Sequence, residues 1–132
     1  MSITDVFAYE LREVENSIKY VKVIQVRNER YNTRFVDIRH FIVAGGEELG
    51  TVRGVFLKAE EFAELIVHMV RYEEHYIISQ LRTVWFRVNR HYPNVFDLII
   101  REDIRENKIT LSPLEIVQLY MMRDLLLLKC YN

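Results

Sequence analysis

The sequence predicts an α+β fold built from two similar half-domains that pack on each other as a pseudo-dimer. One observation is a strand with a central acid in residues 35–39, echoed by residues 95–99. Another is a short strand that runs straight into an amphipathic helix, in residues 54–65 and again in 108–119. The order of these elements is the same in both copies. A repeated unit that cannot bury its own apolar face is expected to pack against its copy.

The repeat also has matching residues along its strand-to-helix segment. Aligning Leu57 with Leu111 places similar side chains together in four further pairs: Val55 with Ile109, Glu61 with Glu115, Phe62 with Ile116 and Leu65 with Leu119. The alternative is that two unrelated strand-strand-helix segments share only a hydrophobic pattern.

Bulk properties favour a single compact intracellular domain. The chain has 132 residues, of which 50% are hydrophobic, and it has four Gly and two Pro. No apolar run reaches the ~18 residues expected of a membrane span, and the first residues do not resemble a secretory signal. The one cysteine, Cys130, suits a reducing compartment.

Positive charge is concentrated on the predicted strands, although the net charge is −1. Residues 19–53 contain seven Lys or Arg against four Asp or Glu, and residues 82–108 contain six against four. Such an asymmetry would suit an anion-binding surface. Ordinary solvated arginines on an exposed sheet would give the same composition.

The first 80 residues divide into a predicted cap and the first half-domain. Residues 1–18 are expected to form an N-terminal cap with a helix over 4–16, because apolar residues there fall near helical spacing. Residues 19–80 follow as the first half-domain. Its predicted elements are strands at 20–27, 34–43 and 51–57, a loop at 44–50, and a helix from Ala59 to about Gln80.

Residues 81–132 are expected to form a degenerate second half-domain that completes the core. Strands are predicted at 81–90, 95–101 and 108–111, with a loop at 103–107. Ser112, Pro113 and Glu115 form a strong helix start, since serine can cap and glutamate occupies the capping-box position. The helix to about Leu128 is apolar on more than one face, which is typical of a buried or interface helix.

The first half contains residues that resemble the positive-cofactor-four family of transcriptional coactivators. The similar segments span roughly residues 20–70, and the most specific are Asp37-Ile38-Arg39 and Gly54-x-x-Leu57 before a helix. The resemblance implies a curved four-stranded sheet followed by a helix, and hence two ββββα-like halves in one chain. It also implies single-stranded DNA binding, a role in transcription or replication beside other proteins of those processes, and a nuclear location.

Candidate contact residues combine basic and aromatic types, because binding of a single strand needs cations for phosphates and flat side chains for bases. The resemblance adds Arg53, which matches a basic position that meets DNA. The expected nucleic-acid-binding residues are Lys22, Arg27, Arg30, Tyr31, Arg34, Arg39, Arg53, Arg87, Arg90 and Tyr92. Arg101 and Arg105 are further candidates, whereas Tyr20 and Trp85 are expected to pack on the sheet. The bound strand could also be RNA.

An alternative is a protein-interaction or assembly module of the same fold that has lost DNA binding. It is favoured because Ile42, Leu49 and Val52 are apolar where the family has aromatic or basic residues. The apolar C-terminal helix, with Met121 and Leu126, is a candidate homodimer contact.

Catalysis finds little support in the sequence, and no enzyme activity, cofactor or metal is expected. The four histidines are scattered without zinc-site spacing, and no phosphate-binding loop or nucleophile motif is present. Asp37 and Asp97 are expected to be ion-pair partners of Arg39 or Arg101 rather than catalysts.

Overall fold

The computed structural model describes residues 1–11, 18–30 and 32–132. It consists of two four-stranded antiparallel sheets, each followed by helices, in a pseudo-dimeric α+β arrangement. Sheet 1 has the strand order β1-β2-β3-β4 and sheet 2 the order β5-β6-β7-β8. The predicted pair of ββββα-like halves is therefore confirmed.

The elements follow one another in the same order in both halves. Those of the first half are β1 (Ser2–Leu11), β2 (Ile18–Arg27), β3 (Asn32–Ala44), β4 (Glu47–Leu57) and α1 (Ala59–Met69). Those of the second half are β5 (His75–Ile78), β6 (Arg82–Val88), β7 (Phe96–Glu102), β8 (Arg105–Leu111), α2 (Pro113–Met121) and α3 (Arg123–Tyr131). No helix in the described part of the chain is long and apolar enough to cross a membrane.

One continuous hydrophobic core joins the two halves. It contains the inner faces of both sheets, with Val21 and Val55 from the first and Phe86 and Ile109 from the second, and the buried sides of the helices. The five aligned pairs of the repeat lie at buried positions on both sides. Because full burial of each apolar side chain in this core is worth ~1.5–3 kcal/mol, neither half would retain this stabilisation alone.

Reciprocal polar contacts also link the halves. Lys19 Nζ donates to Glu115 Oε1 at 2.8 Å and to the Thr110 carbonyl at 2.7 Å. In the opposite direction, Arg82 donates from Nε to Glu61 Oε2 at 2.9 Å and from Nη2 to the Phe56 carbonyl at 2.5 Å. Thr110 and Phe56 occupy equivalent places in the repeat. Each half thus supplies a cation that binds the strand-to-helix junction of the other.

The glutamates in these contacts also cap their own helices. Glu115 accepts from the Ser112 amide at 2.8 Å, and Ser112 Oγ accepts from the Glu115 amide at 3.2 Å, which confirms the predicted capping box. Glu61 accepts from the Lys58 amide at 2.9 Å. One carboxylate at each junction therefore starts a helix and binds the other half.

Three predictions for the first half were wrong, the first of them at the N-terminus. Residues 2–11 form β1 instead of a helix, and residues 12–17 lie outside the described residues. A register shift between Asp5 and Phe7 interrupts the alternation of side chains, and this irregularity produces the helix-like spacing. The predicted loop at 44–50 is a two-residue turn, since Gly45 and Gly46 both adopt positive φ and let β3 continue into β4.

The helix predicted to run to Gln80 ends at Met69 instead. Tyr72 adopts a left-handed conformation with φ 59° and its ring stacks on Phe96 at 4.8 Å. The Glu73 amide then bonds the His68 carbonyl, which closes the helix end. Because an aromatic residue rather than glycine occupies this position, the end of the helix carries no glycine stop signal, and strand β5 is not predicted.

The last two boundaries also differ from the prediction. The expected loop at 103–107 is a turn at Asp103, with φ 51°, and β8 begins at Arg105. The single helix expected to about Leu128 is two helices, because the backbone at Met122 leaves the helical region between α2 and α3.

Candidate nucleic-acid interface

The face of sheet 2 opposite the core forms a row of side chains across all four strands. The pairing register places Tyr76 of β5 beside Trp85 of β6, then Ile99 of β7, then Lys108 of β8. Since side chains alternate along a strand, all four point away from the core. We call this surface the outer face of sheet 2, and the equivalent surface in the first half the outer face of sheet 1.

An aromatic stack lies at the start of this row. The rings of Tyr76 and Trp85 are 5.1 Å apart between centroids and 14° from parallel. Trp85 Nε1 donates to Glu74 Oε1 at 2.9 Å, which fixes the indole. Tyr76 is 45% exposed. Glu74 therefore holds the stack in place through Trp85, and the stack is open to solvent at Tyr76.

Three arginines surround the indole of Trp85. Arg87 lies over the ring at 4.3 Å from its centroid, Arg101 at 5.8 Å and Arg90 at 5.9 Å. Arg90 and Arg101 are exposed, and Arg101 bonds Glu106 on the surface. Arginine beside an aromatic face can both stack and contact phosphate.

A buried acid lies beneath these cations. Asp97 is fully buried and accepts from Arg87 Nε at 3.1 Å and from Asn89 Nδ2 at 2.8 Å, with Lys108 Nζ at 3.6 Å. The predicted partnership with Arg101 is therefore wrong. The reason is the register, which puts Arg101 opposite Thr83 and Glu106, four residue pairs from Asp97 along the strand.

The outer face of sheet 1 has the same register but different contacts. Tyr20 meets Phe41 edge to face at 5.2 Å, and its hydroxyl donates to Glu48 at 2.8 Å. That hydrogen bond raises the pKa of Tyr20 to about 12. Lys22 lies 4.4 Å from the Phe41 ring centroid and donates to Asp5 at 2.7 Å. Both groups that could meet a nucleic acid are engaged with carboxylates.

Arg39 is likewise held within sheet 1. Its Nε donates to Asp37 Oδ1 at 3.1 Å, as the sequence predicted, and its Nη1 donates to the Thr51 carbonyl at 2.6 Å. The guanidinium lies 4.7 Å from the Phe56 ring centroid and crosses Gly54, where a Cβ would meet Arg39 atoms at 2.7 Å. Burial raises the pKa of Asp37 to about 6, although the charge of Arg39 lowers it.

The candidate residues of the first hairpin do not form one cluster. Arg27 and Arg30 are exposed, and Arg27 donates to Asn32 at 3.3 Å. Arg34 points to the helices instead, where its Nη1 donates to the Lys129 carbonyl near the end of α3 at 2.7 Å. Tyr31 lies outside the described residues.

The other candidates lie on two separate surfaces. Arg53 is exposed and lines a cavity between the sheets rather than the outer face of sheet 1. Tyr92, 68% exposed, lies in the turn after β6, where Asn89 Oδ1 accepts from its amide. Arg87 and Arg90 are the predicted residues that the structure brings together around Trp85.

Sequence reasoning missed the aromatic centre of this surface. Trp85 does pack on the sheet, as expected, yet it stacks with Tyr76 and contacts the arginines. The run of aromatic and β-branched residues Tyr76-Ile77-Ile78 was the available strand signal. It was hidden because residues up to Gln80 were assigned to a helix. In the described part of the chain, no three His, Cys, Asp or Glu side chains are placed to hold a metal ion.

Comparison with known proteins gives a fold but no family. The structure resembles that of a guide-RNA-binding protein complex bound to a gRNA, with a TM-score of 0.50 at 16% identity over 89% of this chain and 87% of that one. It also resembles MRP1/MRP2 of Trypanosoma brucei, with a TM-score of 0.49 at 17% identity over 92% and 82% of the two chains. No protein-family model and no curated protein matches the sequence.

The first of these matches corrects the expected family. The resemblance to positive-cofactor-four coactivators was wrong, because the solved structure that shares this fold at a TM-score of 0.50 is a guide-RNA-binding protein complex. The short motifs around Asp37 and Gly54 reflect a strand-to-helix unit that both halves of this chain use. A DNA-specific role, a coactivator role and a nuclear location have no support from the comparisons.

Proposed function

We propose that this chain binds single-stranded RNA on the outer face of sheet 2, without catalysing a reaction. The observation that carries the proposal is the stack of Tyr76 on Trp85 with Arg87, Arg90 and Arg101 around it. Aromatic platforms beside cations are the shared feature of proteins that bind single strands. The gRNA-bound complex with the same fold supports RNA as the strand.

The chemistry of the surface fits unpaired bases. A base can extend the stack on the exposed ring of Tyr76, which is worth ~1–3 kcal/mol per base. The exposed guanidiniums of Arg90 and Arg101 can then reach phosphates on either side. A base inside a duplex offers no free face, so duplex RNA is expected to bind more weakly.

The fluorescence of Trp85 provides a direct test, because it is the only tryptophan of the chain. Oligouridine should quench this fluorescence and bind more tightly at low than at high KCl. The same length of oligothymidine and of duplex RNA tests the choice of strand. Absence of quenching and of binding by anisotropy at low salt would contradict the proposal.

A variant and a matched control separate the platform from general charge. Tyr76→Ala should weaken oligouridine binding about tenfold, within the range for loss of one stacked base. Tyr131→Ala, which removes another exposed tyrosine on α3, should leave binding unchanged. Equal loss in both variants would mean that the outer face of sheet 2 is not the site.

A second candidate function is assembly through the C-terminal helices. Five exposed apolar side chains lie at helical spacing along two consecutive helices: Leu114 (52%), Val117 (40%) and Met121 (76%) on α2, and Leu125 (40%) and Leu128 (54%) on α3. Exposed apolar side chains at such spacing commonly mark a contact with another helix. A homodimer seen by light scattering and lost in Met121→Asp/Leu125→Asp would support this function, whereas a wild-type monomer would contradict it.

A further inference from the structure

A cationic cavity lies where β8 of sheet 2 approaches β3 and β4 of sheet 1. Its volume is about 410 Å³, within the range of ~300–1,000 Å³ typical of ligand sites. It is lined by Lys19, His40, Arg53, Lys108, Ile109 and Thr110. We call it the seam cavity. No carboxylate is among its described lining residues.

The charges of the seam cavity are unequally compensated. Lys19 is balanced by Glu115 at 2.8 Å. Lys108 lies 3.6 Å from Asp97, a carboxylate that Arg87 already contacts at 3.1 Å. Within residues 1–11, 18–30 and 32–132, no acidic side chain forms an ion pair with Arg53. The cavity therefore has an excess of positive charge and favours an anion.

The corresponding cavity at the other junction differs in charge. It has a volume of about 340 Å³ and contains Lys58 and Arg82, of which Arg82 bonds both Glu61 and Glu102, together with apolar residues such as Phe35 and Ile100. The position equivalent to Arg53 is occupied there by the neutral Asn107. This contrast argues that Arg53 has a role beyond holding the halves together.

The seam cavity continues the row that begins at the aromatic stack. Tyr76, Trp85, Ile99 and Lys108 follow one another on adjacent strands, and Lys108 is also a wall of the cavity. With neighbouring strands ~4.8 Å apart, the row spans ~14 Å of sheet. Ile99 is buried, so a strand that stacks a base on Tyr76 passes over this covered position before its backbone reaches Lys108 at the cavity wall.

We propose that the seam cavity binds a phosphate of the RNA strand whose base stacks on Tyr76, with Arg53 and Lys108 as the phosphate contacts. Arginine offers a bidentate pair of donors and lysine a compact charge, so both suit a phosphate. Lys19 positions the Thr110 carbonyl and α2, and does not contact the phosphate. This inference rests on the proposed RNA binding and adds a second contact region to it.

Salt dependence of oligouridine binding tests the inference in the full chain. Arg53→Ala and Lys108→Ala should each weaken binding about tenfold, as expected for loss of one charge-assisted contact. Each should also lower the slope of log K against log[KCl] by ~0.7, the value for one phosphate on a single strand. Tyr76→Ala should lower affinity with little change in slope. Arg71→Ala, an exposed arginine just after α1, is the matched charge control.

The outcomes separate the two proposals. Wild-type affinity and slope in Arg53→Ala and Lys108→Ala, with binding lost in Tyr76→Ala, would overturn the seam cavity and leave RNA binding intact. A slope change equal to that of Arg71→Ala would overturn it as well, because it would show only a general charge effect. A wild-type protein that binds no oligouridine would overturn both proposals. Unchanged thermal unfolding of the two variants, whose side chains are exposed, would show that altered binding is not a folding defect.

Discussion

The outer faces of the two sheets place an acid at the same register position and compensate it differently. In sheet 1, Asp37 pairs with Arg39, which crosses Gly54 and lies on Phe56. In sheet 2, Asp97 takes Arg87 from the neighbouring strand. Arg39 therefore covers part of the outer face of sheet 1. In sheet 2, the stack of Tyr76 on Trp85 and the nearby exposed arginines stay accessible. Equivalent folds thus give one closed and one accessible face.

The junctions between the halves, unlike the outer faces, have kept the same contacts in both halves. Lys19 with Glu115 and Arg82 with Glu61 make the same kind of contact to a helix start and to the preceding strand. The contacts that hold the pseudo-dimer are therefore shared, and the surfaces that could bind a partner have diverged.

Removal of Lys19 is expected to have the largest effect on stability. Lys19→Met removes the 2.8 Å contact of a cation with the fully buried Glu115, and breaking a buried pair in this way costs ~3–5 kcal/mol. Urea denaturation measures the loss. The double variant Lys19→Met/Glu115→Gln should recover part of it, because the buried carboxylate charge is gone and the helix cap can remain. A cost below ~1 kcal/mol for the single variant would show that this contact does not hold the halves together.

Ionisation of Asp37 should make the stability of sheet 1 dependent on pH. Its pKa is raised from 3.8 to about 6 in the folded chain, so folding favours the protonated form. The stabilisation is full below about pH 4 and is lost as pH rises through about 6. Relative to Asp37→Asn, the wild-type free energy of unfolding should fall by up to ~3 kcal/mol between pH 4 and pH 7. Asp124→Asn, at an exposed carboxylate, is the control, and a difference independent of pH would contradict the raised pKa.

Gly54 and Lys108 occupy equivalent positions, and their substitution by alanine should change the free energy of unfolding to different extents. Gly54→Ala places a Cβ 2.7 Å from Arg39 side-chain atoms, so Arg39 must move, at a cost of ~1–3 kcal/mol. Lys108→Ala is expected to change stability by less than ~0.5 kcal/mol. Thermal or urea unfolding compares them. The cost of Gly54→Ala should shrink in an Arg39→Ala background, and an undiminished cost there would place the strain elsewhere.

The architecture could be predicted from the repeat because the inward residues of both halves obey simple alternation. Val55, Leu57 and their counterparts Ile109 and Leu111 are buried, as the sequence pattern required. β1 and β5 could not be predicted in the same way. A bulge disturbs the pattern in β1, and a left-handed Tyr72 replaces the expected glycine stop before β5. Both failures come from backbone irregularities that periodicity does not encode.

The candidate site was only partly predictable for a different reason. Residue type identified arginines and tyrosines, but their availability depends on which neighbours take their hydrogen bonds. Arg34 donates a hydrogen bond to the end of α3, and Arg39 donates to Asp37 and Thr51. By residue type alone, both were as suitable for phosphate contacts as Arg90. Tyr76 and Trp85 meet only through the pairing of β5 with β6. That pairing cannot be inferred while β5 is assigned to a helix.

The smallest expected effect is the change in RNA affinity on substitution of Tyr20. Tyr20 occupies in sheet 1 the position that Trp85 occupies in sheet 2. Tyr20 has its hydroxyl on Glu48, and Lys22 beside it is paired with Asp5, so a phosphate near Tyr20 would meet carboxylates. Tyr20→Ala should change oligouridine affinity by less than about twofold, whereas Trp85→Ala should weaken it about tenfold, the range for a lost stacking platform. Anisotropy with labelled oligouridine measures both. Equal losses would mean that both sheets bind the strand and that the closed face opens on binding. A larger loss for Tyr20→Ala would reverse the assignment of the binding face to sheet 2.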